Sequence, residues 1–443
     1  MAKSLDMPIT FRTMLRFAAP TIAAQLFMSI YSTVDGLFVA NLVGTDALSA
    51  VNIVMPSLMV ILAVASMVSA GGRAFVAAQL GAGKQQEARE NFSLVIAVSF
   101  GAALALSLAG LVAMDPLLHV MGSDDALLDL CRAYATPLFI IMPLAMLGMV
   151  FDTFFMVEGK PGIGGILSIA GGVLNIILDY LFIALFGWGV AGAAIATGIG
   201  YSVSAVVGLV YFAVRRNGNL CLVKPVWRPN ALAKISGNGA SEMVMMLAGS
   251  VSTVVMNNVM MGLAGSDGVA AISIIVYVMS ILSAVYYGYD YGVSALASHN
   301  FGKDDHERLR RYHSINLRVT IIAGACILGA SLIASQSLTG FFARPGTDVF
   351  DLAVQGFGIC SFAFLVMGVN DYASSFFTAL NDGRTSAIIA FMRTFVFTLA
   401  ALIIMPALWG IVGLWFALPA AELASLAVSS YYLIAKRNVY HYA

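Results

Sequence analysis

Apolar runs of twenty or more residues, separated by short polar stretches, recur along the whole chain of 443 residues. About 20 apolar residues carry an α-helix across the hydrocarbon core of a bilayer. On that rule the chain predicts twelve spans: 15–42, 48–80, 92–114, 132–157, 163–185, 189–214, 237–263, 268–300, 314–338, 352–380, 385–407 and 411–435. Lipid offers an exposed backbone no water to bond, so helix is the element these runs must adopt. The second, eighth and tenth runs are overlong, which tilt or extension into water absorbs. The polar stretches 80–90 (LGAGKQQEARE) and 301–313 (FGKDDHERLRRYH) predict short amphipathic helices at the inner surface.

The pattern also repeats. Gly44-Thr-Asp46 recurs as Gly265-Ser-Asp267, Val190-Ala-Gly192 as Ile411-Val-Gly413, and Tyr211-Phe-Ala-Val-Arg-Arg-Asn217 as Tyr432-Leu-Ile-Ala-Lys-Arg-Asn438, each pair 221 residues apart. One register for three matches means two six-helix lobes, parallel repeats related by a pseudo-two-fold axis along the membrane normal. The predicted fold is therefore an all-α integral membrane protein of twelve transmembrane helices. Its divisions are an N-terminal lobe (1–214), a linker (215–236) holding Pro225 and Pro229 and lacking apolar periodicity, and a C-terminal lobe (237–443).

Composition agrees, with 60% hydrophobic and 10% charged residues where a soluble domain carries about 25% charged. The zero net charge gives no pull toward nucleic acid. Cys131, Cys221, Cys326 and Cys360 are scattered and read as small packing residues. The first apolar segment is too long for a cleaved signal peptide, and no A-x-A-like site follows it. With the N-terminus placed in the cytoplasm, 21 Lys and Arg fall on the inner side and only Arg132 and Arg344 on the outer. Positively charged loops stay inside, so both termini and the linker are expected in the cytoplasm.

Candidate chemistry rests on acids within the apolar runs: Asp35, Asp152, Asp179, Glu242, Asp290, Asp371 and Glu422. Intramembrane carboxylates are costly and face a cavity or a partner. Arg73, Arg318 and Arg393 fall toward inner helix ends, where long side chains snorkel to water. The interior is thus expected to be acidic and to attract cations.

Asp35, Asp179 and Thr197 lie six to eight residues from the outer ends of their helices, roughly 10 Å deep at 1.5 Å per residue. Asn175 shares a helix face with Asp179, four residues on. Two carboxylates, an amide and a hydroxyl at one depth can bind Na⁺, which wants oxygen ligands, or hold a proton between the acids. The competing reading makes Asn175 and Thr197 helix-packing hydrogen bonders. The second lobe lacks the pair, since Met256 and Ala400 stand in register with Asp35 and Asp179. Its own acids, Glu242, Asp290, Asp371 and Glu422, are candidates for substrate binding or coupling.

The early PTIAAQ with an Asp fifteen residues after its Pro, NIILD followed by AGAAIAT, and the LGAGK loop together resemble the multidrug and toxic compound extrusion (MATE) transporters over the whole chain. Asp35, Asn175, Asp179 and Thr197 match the N-lobe cation and proton site of the branch with DNA-damage-inducible-F-like members, and the bacterial MepA-like subgroup is similar. Asp371 falls where the other large branch keeps a tenth-helix acid, whereas Glu242 comes too early for that branch's seventh-helix acid.

The resemblance implies an antiporter of the bacterial or archaeal cell membrane, exporting hydrophobic organic cations against H⁺ or Na⁺ by rocking of the lobes. It further implies a monomer without enzymatic activity, cofactor, structural metal or nucleic-acid partner. H⁺ is favoured because apolar burial and a second carboxylate both favour a proton on one acid of a pair.

Two rivals remain. A flippase for lipid-linked saccharides would want Arg or Lys in its cavity for a pyrophosphate headgroup. A membrane enzyme would want a nucleophile–base or metal constellation, and His119, His299, His306, His313 and His441 show no mutual spacing. The orientation is open to direct test: a cysteine replacing Arg228 should react with a membrane-impermeant maleimide in inside-out vesicles only. Labelling of intact cells would reverse the topology.

Overall fold

The computed structural model describes residues 5–42, 45–121, 123, 125 and 127–443, and for the helical residues 32–42 and 45–48 the course of the backbone alone. The first lobe consists of α1 (Phe11–Leu42), α2 (Thr45–Gly81), α3 (Gln85–Val112), α4 (Leu128–Val157), α5 (Pro161–Leu185) and α6 (Gly189–Val214). The second consists of α7 (229–264), α8 (266–302), α9 (His306–Gly340), α10 (Asp348–Ala379), α11 (383–408) and α12 (411–435). A short helix, Met114–Val120, joins α3 to α4. No strand occurs among the described residues. The twelve helices coincide with the twelve apolar runs, and side chains such as Val112, Ile166, Ile333 and Leu408 stand exposed on their outer faces, where lipid meets them.

The repeat is visible in the backbone. Gly83 and Asp304, 221 residues apart, both turn through positive φ (73° and 59°), as do Gly189 and Gly410 (55° and 59°). Gly265 (φ 62°) breaks α7 from α8, and Trp409 with Gly410 breaks α11 from α12. Left-handed φ is strained for a residue with a Cβ, which is why glycine stands at these breaks.

Two expectations need correction. The polar stretches at 80–90 and 301–313 make no separate surface helices. Their connections are only 82–84 and 303–305, and the charged residues beyond form the first turns of α3 and α9. A spanning helix that runs on into water keeps satisfying its own backbone, so no new nucleus is needed. The Asp305 carboxylate caps α9 by accepting the Arg308 N–H at 3.1 Å.

The linker is also shorter than its sequence reading, because α7 begins at Pro229, and its non-helical part is fastened to the first lobe. Glu158 accepts the backbone N–H groups of Leu220 (2.8 Å) and Asn219 (3.3 Å). Arg89 donates to Gly218 O (2.7 Å), and Arg228 pairs with Glu90. Burial pushes the Glu158 carboxyl above its ordinary range, while the two N–H bonds pull the other way.

The lobes meet along α2 with α7 and α8 and along α1 with α8, in a seam of small residues at the end that holds both termini. A Cβ on Gly71 would stand 1.9 Å from Ile235 O, and one on Gly239 would stand 1.8 Å from Met67 O. Lower down, a Cβ on either of the symmetry mates Gly81 and Gly302 would stand 2.0 Å from His299 O and 1.9 Å from Ala78 O, respectively. Only backbones without side chains approach this closely. Gly239→Leu should therefore wedge the seam apart. Spin labels at positions 84 and 303 are expected to move apart while helix content by circular dichroism stays constant, and an unchanged distance would refute this account of the seam.

Candidate functional site

Above the seam the lobes enclose a cavity of about 490 Å³. Its walls come from α1, α2, α4, α5 and α6 of the first lobe and α7, α8 and α10 of the second. Among the described residues four carboxylates line it, Asp152, Glu242, Asp290 and Asp371, against one cation, Arg73. Met28, Met149, Met156, Met245 and Met246 supply much of the remaining wall, with Tyr287 and Tyr291. Methionine adapts its shape to varied apolar surfaces, and tyrosine faces attract organic cations.

At one side of the cavity the predicted N-lobe group is partly assembled. Asn175 donates its amide N–H to Thr197 Oγ1 (3.3 Å), and Tyr31 OH donates to Asn175 Oδ1 (2.5 Å). All three residues line the cavity. Asp179 lies one turn along α5 from Asn175, 1% exposed. The helix loosens immediately after it into a π-helical turn, Tyr180–Leu185, a feature frequent at functional sites. Asp35 falls on α1 among the residues described by backbone alone.

The C-lobe acids divide into two groups. Glu242 and Asp290 face the cavity from α7 and α8. Asp371 and Glu422 are joined through Arg393, which is buried at 6% exposure instead of snorkelling to water. Its Nε and Nη2 donate to Glu422 Oε1 at 2.9 and 2.7 Å, and Nη1 donates to Asp371 Oδ1. Asn370 completes the network by donating to Glu422 Oε2 (2.7 Å). Arg393 stands in a π-helical turn, Met392–Thr398, and its own carbonyl accepts the Thr398 hydroxyl (2.8 Å). The correction has a physical reason. A guanidinium that finds two buried carboxylates is better compensated there than at the headgroup level.

Asp152, Arg73 and Arg393 are the site residues that sequence reasoning passed over. Asp152 projects from α4, its Oδ2 accepting the Ser168 hydroxyl of α5 (3.0 Å). The only sequence signal was its place among the intramembrane acids. Arg73 stacks on Tyr291, 4.5 Å from its ring centroid, and donates to Tyr291 O (3.3 Å). Tyr291 in turn shares a hydroxyl hydrogen bond with Thr153 of the opposite lobe. These contacts form the cavity floor. Among the described residues no group of three or more His, Cys, Asp and Glu is placed to hold a metal ion.

Residues 20–181 and 243–404 each match the MatE family profile, one match in each lobe. Over 422 residues the chain is 24% identical to the multidrug export protein MepA of Staphylococcus saprophyticus, covering 94% of this chain and 92% of that protein. Among solved structures it is similar to a MATE protein in complex with MaL6 (TM-score 0.94, 19% identity, 100% and 99% of the two chains). It is similar too to an outward-facing multidrug resistance MATE family transporter of the MOP superfamily (TM-score 0.93, 19% identity, the same coverage).

Removing Arg393 leaves two carboxylates facing each other without compensation, a loss of about 3–5 kcal/mol for a broken buried pair. Arg393→Ala should therefore lower the melting temperature of the purified protein markedly. The triple change Arg393→Met, Asp371→Asn, Glu422→Gln should recover most of it, since replacing all members of a buried ion cluster is often close to neutral. Parent-like melting of Arg393→Ala would show that the triad does not hold the lobe together.

Proposed function

Because the chain belongs to the MatE family, the multidrug and toxic compound extrusion transporters, we propose that it exports apolar organic cations in exchange for protons. The observation that carries this reading is the cavity between the lobes, with four carboxylates, one arginine and a wall of methionine and tyrosine. Such a lining attracts positive charge and accepts varied apolar shapes. A pyrophosphate headgroup would meet a lining rich in carboxyl groups with Arg73 alone to pair with it, so a lipid-linked saccharide is disfavoured. The likeness to a multidrug export protein over nearly the whole chain supports the same substrate class.

In this reading Asp35, Asn175, Asp179 and Thr197 bind the coupling ion, and the cavity with Glu242, Asp290 and Asp371 binds the drug. Asn175 and Thr197 line the cavity from one lobe and Glu242, Asp290 and Asp371 from the other, so an ion bound with the first group and a cation near the second bias the same arrangement of lobes. Rocking about the cavity then alternates access, with the small-residue seam as the cytoplasmic closure. In this reading the protein sits in the cell membrane with both termini and the linker between its two lobes inside, and works as a monomer without cofactor.

The oxygen set at Asn175 and Thr197 also suits Na⁺, and one vesicle experiment separates the ions. Proteoliposomes free of Na⁺, with the medium on the extracellular face acidified, should drive ethidium export, and Asp35→Asn and Asp179→Asn should each reduce the rate at least tenfold with insertion unchanged. Transport that starts only on adding an inward Na⁺ gradient would replace the proton by Na⁺. Parent-like rates in either variant would remove the N-lobe group from the mechanism.

A further inference from the structure

Among the described residues Asp290 is the one carboxylate with both oxygens buried and without a hydrogen-bond partner. It is 6% exposed and lines the cavity. Asp152 has Ser168, and Asp371 has Arg393. Asp290 stands twelve residues before the end of α8 at Gly302, roughly 18 Å along the helix, so the closed seam lies between it and the cytoplasmic end.

Among the described residues no cation is available to it. Arg393 is committed to Asp371 and Glu422, and Arg73 to Tyr291. The charged group that acts on Asp290 most directly is another acid, Asp371 of α10. Around it stand the phenols of Tyr286 and Tyr289 on α8, Tyr312 on α9 and Tyr372 on α10. None donates to it. Tyr286 donates instead to Phe364 O (2.8 Å), and the Tyr372 hydroxyl is bonded to His313 Nδ1 (2.8 Å). Glu242, on α7, lines the same cavity and adds negative charge.

A bare carboxylate cannot persist in such a place, because burying an unpaired charge costs several kcal/mol. Something arriving through the cavity must neutralise it. We infer that Asp290 is a proton-binding site of the C-terminal lobe, protonated when the cavity is empty and deprotonated when an organic cation occupies it. The exchange balances in charge: the carboxylic acid O–H breaks, its electron pair stays on the oxygen, the proton leaves through cavity water, and the positive charge of the substrate takes its place. This rests on the reading of the chain as a transporter of apolar cations and adds to it a second proton, distinct from the one assigned to Asp35 and Asp179. Asp371 and Glu422, although acidic, exchange none because Arg393 already balances them. An alkali ion fits less well, since no hydroxyl or amide is hydrogen-bonded to Asp290 to begin a coordination shell.

The test uses the full chain, purified in weakly buffered detergent. Tetraphenylphosphonium is added while an indicator dye counts protons released and equilibrium dialysis counts cations bound. Asp290→Asn should release about one proton fewer per bound cation than the parent, and Asp290→Glu should restore the parent value. Equal release from parent and Asp290→Asn overturns the inference.

An infrared pH titration needs no substrate and so stands even if the export reading fails. Besides the band of the proton shared by Asp35 and Asp179, the parent should show one further carbonyl band of a buried protonated carboxylic acid, shifted in Asp290→Glu and missing from Asp290→Asn. Persistence of this further band in a monodisperse Asp290→Asn sample, or its loss from the parent on adding Na⁺ alone, would overturn the proposal.

Discussion

Lipid supplies no hydrogen bonds and no counterions, and the rest of the structure follows from that constraint. Each backbone group must be satisfied within its own helix. Each charge must be paired or turned toward a cavity. The chain solves the charge problem in several ways. Arg393 binds Asp371 and Glu422 into a closed triad. Arg73 spreads its charge over the ring of Tyr291 and marks the floor of the cavity. Asp152 is held by a serine hydroxyl. Among the described residues Asp290 is the carboxylate whose two buried oxygens have no hydrogen-bond partner, which is why the proton exchange is proposed there.

The lobes share one architecture and differ in chemistry. Backbone turns recur at the same 221-residue interval, yet the Asn175–Thr197 cluster of the first lobe has no counterpart in the second, and the Arg393 triad of the second has none in the first. The seam between them is made of small residues whose backbones touch. Such contacts form by close fit and separate without breaking a strong bond, which suits the opening closure proposed for the seam. Across the lobes the cavity floor adds the hydroxyl pair of Thr153 with Tyr291 and the stacking and hydrogen bond of Arg73 on Tyr291.

Much of this was legible in the sequence, for identifiable reasons. Spans show because apolar length is the dominant signal in lipid. The break at Gly265 was marked by the recurrence of Gly44-Thr-Asp46 as Gly265-Ser-Asp267. Asn175 and Asp179 could be placed on one face because their spacing is that of a helix turn. The triad was not legible, since Asp371, Arg393 and Glu422 come from three helices and lie 22 and 29 residues apart, distances that no local rule relates. An arginine near a span end reads as a snorkelling residue until its neighbours are known. For Asp152, likewise, the deciding partner is Ser168, sixteen residues on and across a helix connection.

The central claim is that proton and organic cation are alternative occupants of acidic groups around one cavity. Linkage then requires that each weaken the other. The most direct measurement is the dissociation constant of a fluorescent apolar cation for the purified protein across a series of pH values. The account predicts tighter binding as pH rises, approaching about tenfold per pH unit for each proton displaced while the acids are still protonated. An affinity that does not change with pH over the range in which the protein stays folded would contradict it.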